Sequence, residues 1–207
     1  MNAAMLSRVW CAAVAVSIVL GVSAPLAAVD YHWQGAGTGT NTATSPSDNT
    51  TLWNNADNWQ EAAVPGTSDT AYLAFDNAGY ANAVNDIINY LYVDGSSSDG
   101  AFHVADGAYC EVNQYLYVGK TGLGTVVQAG DLKIYRGVYV GYDNNSVGTF
   151  RQSGGNHYIT YLNGSLILGY NAGSQGHYEL ENGTLSVPNW VVVGSYGDGT
   201  FTQTGGT

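Results

Sequence analysis

Short apolar stretches with period-two alternation recur five times between Leu91 and Thr207. Each copy begins with an apolar run, and the runs are Leu91–Asp94, Leu116–Gly119, Val138–Gly141, Leu166–Gly169 and Val191–Gly194. A polar turn and a second glycine follow each run, at Gly100, Gly124, Gly148, Gly176 and Gly199. Steps of 24, 24, 28 and 23 residues separate these glycines. Self-similarity at a period of roughly 20 to 50 residues is typical of solenoids and repeat arrays.

The second half of each repeat alternates in the same way, in three columns of equivalent positions. The first column holds Phe102, Val126, Phe150, Tyr178 and Phe201, the next His103, Val127, Arg151, Glu179 and Thr202, and the third Val104, Gln128, Gln152, Leu180 and Gln203. Apolar positions at period two predict strands with one buried face. A Gly-rich pair closes each segment, as expected for a sharp corner. We therefore predict an all-β, right-handed parallel β-solenoid with coils of about 24 residues.

Stacked coils turn each column into a ladder, and the ladders predict specific contacts. Phe150 should be buried between Val126 and Tyr178. Gln128 and Gln152 should lie one above the other on the inner side, because buried amides need partners. In an in-register ladder each amide would donate to the next, as in stacked cross-β segments.

Residues 1–28 have the features of a secretory signal peptide rather than of the fold. Arg8 precedes an uncharged apolar core, Val9–Val22, and Ala24–Ala28 supplies small residues for cleavage after Ala27 or Ala28. The alternative is an uncleaved membrane anchor, for which the segment is short. We therefore expect export, and a secreted, extracellular or bacterial cell-surface location.

The mature chain is strongly acidic, with 16 acidic and four basic residues and a formal charge of −12. Such a charge disfavours nucleic acid and anionic lipid, which both require basic residues. Cys110 is the only cysteine after residue 28, so no intramolecular disulfide is possible. It alternates with Ala108 and Val112, which predicts a buried, inert thiol.

Residues 29–90 differ from the repeats and predict an N-terminal cap followed by the first strands, before the solenoid at 91–207. Trp33, Trp53 and Trp59 can close the open end of the first coil, which would otherwise expose its core and backbone. Thr38–Thr51 has no apolar pattern and predicts a surface loop. Thr70–Phe75 alternates as a strand.

This region carries a resemblance to a known group of proteins. Its motifs are Trp33-Gln-Gly, Leu52-Trp-Asn-Asn-Ala-Asp-Asn-Trp59, Val64-Pro-Gly66 and Asp69-Thr-Ala-Tyr-Leu-Ala-Phe75. Their order resembles the start of bacterial passenger proteins of type V secretion (autotransporter-like) and of PEP-CTERM-associated surface proteins. The repeats resemble the "YVG … G-T-(L/F)-x-(Q/I)-x-G-G" phrase of both groups. The resemblance implies a surface protein with a structural or adhesive role and assigns no catalytic or ligand residue.

The same resemblance leads us to expect a barrel or a sorting tail, and neither follows Thr207 in this sequence. The fifth repeat stops before its closing strand. We therefore expect an uncapped last coil that associates end to end with another copy, since free strand edges recruit further chains.

Several polar groups invite a chemical interpretation that their positions do not favour. Asp94, Asp99, Asp143-Asn-Asn145 and Asp198 could offer oxygen ligands to Ca²⁺, but they fall on different coils and fit ordinary turns better. Glu179 and Glu181 could form a glycosidase pair, yet an outer strand face offers no cleft. We expect Glu179 to pair with Arg151 of the coil below instead.

Histidines and basic residues do not indicate an enzyme either. His32, His103, His157 and His177 fall in different columns, without zinc-ligand spacing, and we expect them on the surface. A β-helix lyase would need basic residues beside an acidic substrate, which the charge of this chain disfavours.

One pattern on the outer face does indicate a binding surface. Tyrosines recur opposite the core columns, at Tyr90, Tyr92, Tyr115, Tyr117 and Tyr139. Rings repeated at the coil spacing of ~4.8 Å would form an aromatic strip that could stack on sugars or pack against a protein. The alternatives are self-stacking that stiffens the coils, or cover by a local loop.

These observations predict an exported surface solenoid with a structural or adhesive role, without catalysis, cofactor, metal or membrane insertion. Its expected partners are surface glycans or neighbouring surface proteins. The first alternative is a carbohydrate-binding module that uses the tyrosine strip. A polysaccharide lyase or hydrolase on the same fold is the second.

Overall fold

A computed structural model describes residues 27–33, 53, 56–75, 80–83, 86–96 and 101–207. The predicted signal peptide, except for its last two residues, lies outside this part of the chain. So do the predicted loop Thr38–Thr51 and Asp99.

Eighteen β-strands and one 3-10 turn, Ala56–Asn58, make up the regular structure of the described residues. The strands are β1 (Asp30–His32), β2 (Thr70–Phe75), β3 (Tyr80–Ala83), β4 (Asp86–Ile88), β5 (Tyr90–Gly95), β6 (Ala101–Val104), β7 (Tyr109–Val112), β8 (Tyr115–Val118), β9 (Leu123–Gln128), β10 (Asp131–Ile134), β11 (Gly137–Val140), β12 (Val147–Gln152), β13 (Asn156–Ile159), β14 (Ser165–Leu168), β15 (Gln175–Leu180), β16 (Thr184–Ser186), β17 (Val191–Val193) and β18 (Asp198–Gln203). Their shortness and regular spacing match the period of the sequence.

Three parallel sheets run along the length of the molecule. Sheet I has the order β1-β2-β5-β8-β11-β14-β17, sheet II has β18-β15-β12-β9-β6-β3, and sheet III has β16-β13-β10-β7-β4. Successive strands of one coil, such as β8, β9 and β10, therefore belong to three different sheets. This arrangement confirms the predicted β-solenoid. The first strands, β2 to β4, form a coil of their own beneath the repeats.

The strand register places equivalent repeat positions directly above one another. In sheet II, Phe150 pairs with Val126 below and Tyr178 above. All three side chains are buried, and the Phe150 and Tyr178 rings stack with centroids 4.7 Å apart. The prediction for Phe150 is confirmed. Cys110 is buried as predicted, and burial raises the pKa of its thiol.

Three tryptophans close the N-terminal end of the core. Trp33, Trp53 and Trp59 are almost fully buried. Trp59 meets the other two edge to face, with centroid distances of 5.1 Å to Trp33 and 4.7 Å to Trp53. Trp53 also contacts Phe102 of the first repeat, at 5.9 Å. The cluster therefore covers the end of the core as the sequence predicts. An isolated antiparallel β-bridge also joins the backbones of Trp33 and Trp59.

The glutamine column is stacked and buried as predicted, but its predicted amide-to-amide hydrogen bonds are wrong. Gln128 Nε2 donates to the carbonyls of Gly130, at 2.9 Å, and Asn156, at 3.0 Å. Gln152 Nε2 donates in the same way to Gly155 and Thr184. The coil corners expose main-chain carbonyls to the interior, and buried carbonyls need donors. The amides satisfy the corners rather than each other.

The predicted ion pair of Arg151 with Glu179 exists, but Glu181 is the closer partner. Arg151 and Glu179 are opposite in register, with Nε and Oε2 3.9 Å apart. Arg151 Nη2 lies 2.6 Å from Oε1 of Glu181. A long arginine side chain reaches diagonal neighbours on a strand face, which register alone did not predict. The pair is exposed and contributes at most about 1 kcal/mol.

His157 is fully buried, so the expectation of a surface histidine was wrong for this residue. It occupies the inner column of sheet III, between Leu132 and Leu185. Tyr178 Oη donates to Gln152 Oε1 at 2.7 Å and lies 2.9 Å from His157 Nδ1. Because the hydroxyl hydrogen is used for Gln152, the imidazole Nδ1–H is the donor to Tyr178. Its other nitrogen, Nε2, is buried without a partner.

Phe150→Ala is expected to lower the free energy of unfolding by roughly 3–5 kcal/mol, because it leaves a cavity inside a stacked column. Denaturant unfolding would measure the change. Thr149→Ala, at the neighbouring outward position, is the matched control and should change stability by less than about 0.5 kcal/mol. Equal losses in the two variants would contradict the burial of Phe150.

Acid should destabilise the fold through His157. Burial lowers the pKa of His157 from 6.5 to about 3, so the unfolded chain binds the proton first. The contribution of neutral His157 to the free energy of unfolding is fully present above pH 6.5. It is lost as the pH falls, by up to about 1.4 kcal/mol per pH unit. His157→Leu, which matches Leu132 and Leu185 in the column, should flatten the dependence between pH 6.5 and about 5. An unchanged slope in denaturant unfolding would contradict this assignment.

Candidate ligand-binding site

A ladder of aromatic rings runs along the outer face of sheet I. Strand register aligns Tyr72, Tyr92, Tyr117 and Tyr139 on four consecutive coils. Their centroids are 4.7, 4.9 and 5.2 Å apart, with interplanar angles of 9°, 3° and 7°. His32 stacks on Tyr72 at 5.2 Å and extends the ladder by one ring. We call these five side chains the tyrosine ladder.

A second outward column runs beside the ladder, two residues earlier in each strand. Tyr90 and Tyr115 stack in it with centroids 6.4 Å apart. Tyr115 also lies 6.1 Å from Tyr117 and 5.8 Å from Tyr139. The structure thus brings together all five tyrosines that the sequence singled out, on the face opposite the core.

Tyrosines from the surface turns cover the other side of the ladder. Tyr142 meets Tyr117 and Tyr139 edge to face, at 5.2 and 5.0 Å. Tyr170 stacks on Tyr142 at 4.8 Å. The Lys120 ammonium lies 4.8 Å from the Tyr92 ring centroid and 5.3 Å from that of Tyr117, which is cation–π distance.

Sequence reasoning missed four of these rings. Tyr142 and Tyr170 each follow the glycine that ends an apolar run, so the repeated Gly-Tyr pair was a usable signal. Tyr72 would have been found by aligning Thr70–Phe75 with the repeats. The sequence offered no signal for His32, which reaches the ladder through the pairing of β1 with β2.

Burial keeps the ladder hydroxyls protonated. The rings desolvate one another, which raises the pKa of Tyr92 and Tyr117 and raises that of Tyr139 to about 12. The pKa of Tyr72 is raised by the same desolvation and, to a smaller extent, by Asp30. The tyrosines of the ladder are therefore uncharged at neutral pH and present hydroxyls and ring edges to the solvent.

Stacking limits what the ladder can bind. Each interior ring has both faces against its neighbours, so a planar ligand cannot stack on Tyr92 or Tyr117 without displacing a ring. Ring faces are open to a ligand only where a column is interrupted. Self-stacking, one of the alternatives from the sequence, therefore describes the interior of the ladder.

Two concave sites adjoin the ladder. One, of about 180 Å³, lies where Gly137 interrupts the Tyr90–Tyr115 column. Its walls are Tyr115, Arg136, Tyr139, Tyr161, Asn163, Ser165 and Ile167. The other, of about 470 Å³, lies at the lower end of the ladder and includes His32, Tyr72, Tyr92 and Asp94.

The polar groups considered for metal binding or catalysis have other partners. Asp94 accepts from the backbone amides of Thr121 and Gly122, at 3.0 and 2.9 Å, and so caps a turn. Asp143 accepts from Asn171 of the next coil. Within the described ranges, no three histidine, cysteine or acidic side chains are grouped to hold a metal.

A scan against protein-family models and searches of curated proteins and of solved structures found no match to this chain. Among the residues that the structure describes, none belongs to a helix long and apolar enough to cross a membrane.

Alkaline pH should destabilise the ladder. Its tyrosines have raised folded-state pKa values, so their contribution is complete below pH 10 and is lost as the pH rises toward about 12. Tyrosinate absorbance and circular dichroism, followed together, should show late ionisation that coincides with unfolding. Tyr139→Phe should remove one tyrosine from that late phase. If Tyr139→Phe instead removes one tyrosine from the phase near pH 10, the burial of Tyr139 is contradicted. Tyr196→Phe, at an exposed ring, controls for stability effects.

Proposed function

We propose that this chain is an exported bacterial surface protein whose solenoid serves a structural or adhesive role. Export is supported by the apolar, uncharged segment Val9–Val22 and the small residues after it. The resemblance of residues 31–207 to passenger and PEP-CTERM-associated proteins supports a surface location. The parallel coils supply a rigid scaffold, because each coil is bonded to its neighbours along all three sheets.

The aromatic outer face of sheet I is the observation that carries this proposal. It aligns rings over four coils and is joined by Tyr142, Tyr170 and the Lys120 ammonium. Aromatic side chains with a polar tip are enriched where proteins contact other surfaces. An outward row of this length is therefore a suitable adhesive surface, as well as a brace between coils.

A role without catalysis fits the geometry of the acidic residues. Glu179 belongs to β15 of sheet II, Glu181 follows the end of that strand, and both share Arg151 as an ion partner. A glycosidase requires two carboxylates on opposite sides of a bound sugar. These two side chains instead pair with the same cation, the Arg151 guanidinium.

Carbohydrate binding is the second candidate function, and the interruption at Gly137 favours it. There, open aromatic surface and hydrogen-bonding groups of Arg136, Asn163 and Ser165 line one concave site. Sugar recognition combines these two features, since a pyranose has apolar faces and a rim of hydroxyls.

Expression of the full chain in a bacterial host tests the proposal. The exported product should begin at Ala28 or Val29 by mass spectrometry. Beads coated with that product should adhere to bacterial cells, and Tyr117→Ala should lower adhesion several-fold because it opens the ladder. Tyr158→Ala, an exposed ring on sheet III, is the control and should adhere normally.

Four outcomes separate the functions. A retained N-terminal segment on a cell-internal product would contradict export, and full adhesion by Tyr117→Ala would contradict the aromatic surface. Glycan-array binding that disappears in Tyr117→Ala would favour a carbohydrate-binding module. Turnover of a polysaccharide by the purified product would favour an enzyme.

A further inference from the structure

The outward column beside the ladder changes from large to small side chains in the middle of the solenoid. Tyr90 and Tyr115 are followed by Gly137 and Ser165 on the next two coils. Gly137 is fixed by the backbone, because a Cβ there would lie 2.8 Å from the Ser165 carbonyl oxygen. Two coil positions therefore lack a large side chain, which leaves a gap of roughly two strand spacings, about 10 Å.

Aromatic and polar side chains surround this gap, and we call it the Gly137 notch. Tyr115 and Tyr139 bound it, with their rings tilted by 46° rather than stacked. Tyr161 forms the opposite wall and is 38% exposed. In contrast to the rings inside the ladder, Tyr161 is not held between two stacked neighbours, since its contact with Tyr135 is tilted by 45°.

The polar groups of the notch suit a ligand with many hydroxyls. Arg136 lines the notch beside Tyr115, and its Cζ lies 5.8 Å from the Tyr161 ring centroid. A guanidinium offers five N–H donors. Asn163 and Ser165 add an amide and a hydroxyl, each with a donor and an acceptor. Asn189 donates to Ser165 Oγ at 3.3 Å and orients that hydroxyl.

The charges in and around the notch favour an uncharged ligand. No carboxylate lines the notch, and Arg136 has no acidic partner within ion-pair distance among the described residues. The mature chain as a whole carries −12, which repels polyanions over a longer range. A neutral, hydroxyl-rich ring satisfies the local donors and acceptors without meeting that repulsion.

We propose that the Gly137 notch is a subsite for one uncharged hexopyranose unit of a polysaccharide. The sugar stacks one face on Tyr161 or Tyr115, and its hydroxyls bond to Arg136, Asn163 and Ser165. This inference rests on the second candidate function, carbohydrate binding, and gives it a location. The rings inside the ladder then support the notch and do not themselves stack on sugar.

Calorimetric titration of the full exported product with defined oligosaccharides tests the proposal. The probes are laminarihexaose, cellohexaose and mannohexaose, with oligogalacturonate and its methyl ester as a pair that differs in charge. At least one neutral hexaose should bind. Tyr161→Ala should lower the affinity for that hexaose about tenfold. Ser165→Tyr should do the same by filling the gap with a side chain that the column already accepts at Tyr115.

Control variants distinguish a failure of the notch proposal from a failure of carbohydrate binding. Tyr158→Ala removes a ring of equal exposure, 39% against 38% for Tyr161, and should bind normally. Far-ultraviolet circular dichroism and thermal unfolding establish that the variants keep the fold. If Tyr92→Ala weakens binding and both notch variants do not, the notch is overturned while carbohydrate binding stands.

The comparison of oligogalacturonate with its methyl ester tests whether the ligand is uncharged. The free oligogalacturonate should bind no better than its methyl ester. Binding of the free acid that is about tenfold tighter and is lost in Arg136→Gln would overturn the uncharged class. If none of the probes binds, carbohydrate binding itself is overturned, and the structural role of the solenoid is unaffected.

Discussion

At the second glycine of the last four repeats, the backbones of neighbouring coils and turns approach too closely for any side chain. A Cβ on Gly148 would lie 2.2 Å from the Val118 carbonyl oxygen and 2.4 Å from the Gly141 nitrogen. Gly176 meets Val140 and Gly169 in the same way. Real Cβ atoms do not approach backbone atoms at these distances, so the position admits only glycine. This recurrent contact fixes how each coil sits on the one below.

A fixed register determines which side chains face the core and which of them stack on the next coil. Because side chains alternate with a period of two, a slip of one residue would move the whole core set to the solvent. With the register held, Phe150 meets Tyr178 inside sheet II and Tyr92 meets Tyr117 outside sheet I, at centroid distances of 4.7 and 4.9 Å. The same backbone spacing thus builds a buried aromatic column inside and a half-buried one on the outer face.

The sequence predicted the fold well because the repeat encodes it redundantly. Glycines, apolar runs and alternating columns all indicate the same coil, so errors at single positions do not change the result. The wrong predictions concern side chains whose burial or hydrogen-bond partners depend on residues distant in the sequence. His157 belongs to a column with Cys110, Leu132 and Leu185, but a single polar residue in an apolar column did not indicate burial.

Hydrogen-bond partners were predicted less well than positions. Gln128 was correctly placed inside, yet its amide bonds to corner carbonyls that no column analysis reveals. The candidate site shows the same division. Its five tyrosines were found from their period, whereas Tyr142, Tyr170 and Tyr161 come from turns and corners outside the columns considered. Turn and corner residues vary between repeats, so the Gly-Tyr pair at Tyr142 and Tyr170 was a weaker signal than a full column, and Tyr161 had none.

The distinction between a periodic surface and a binding site follows from the stacking itself. A continuous ladder satisfies its own ring faces, and each additional tyrosine makes the row more rigid but leaves no aromatic face for a ligand. An interruption has the opposite effect, because it removes one ring and exposes its neighbours. In this chain the interruption falls at Gly137, where the Ser165 carbonyl excludes a side chain. Arg136 and Tyr161, at the adjacent corners, border the opening. In the proposed carbohydrate-binding role, specificity comes from the coil that departs from the pattern, while the regular coils hold that departure in place.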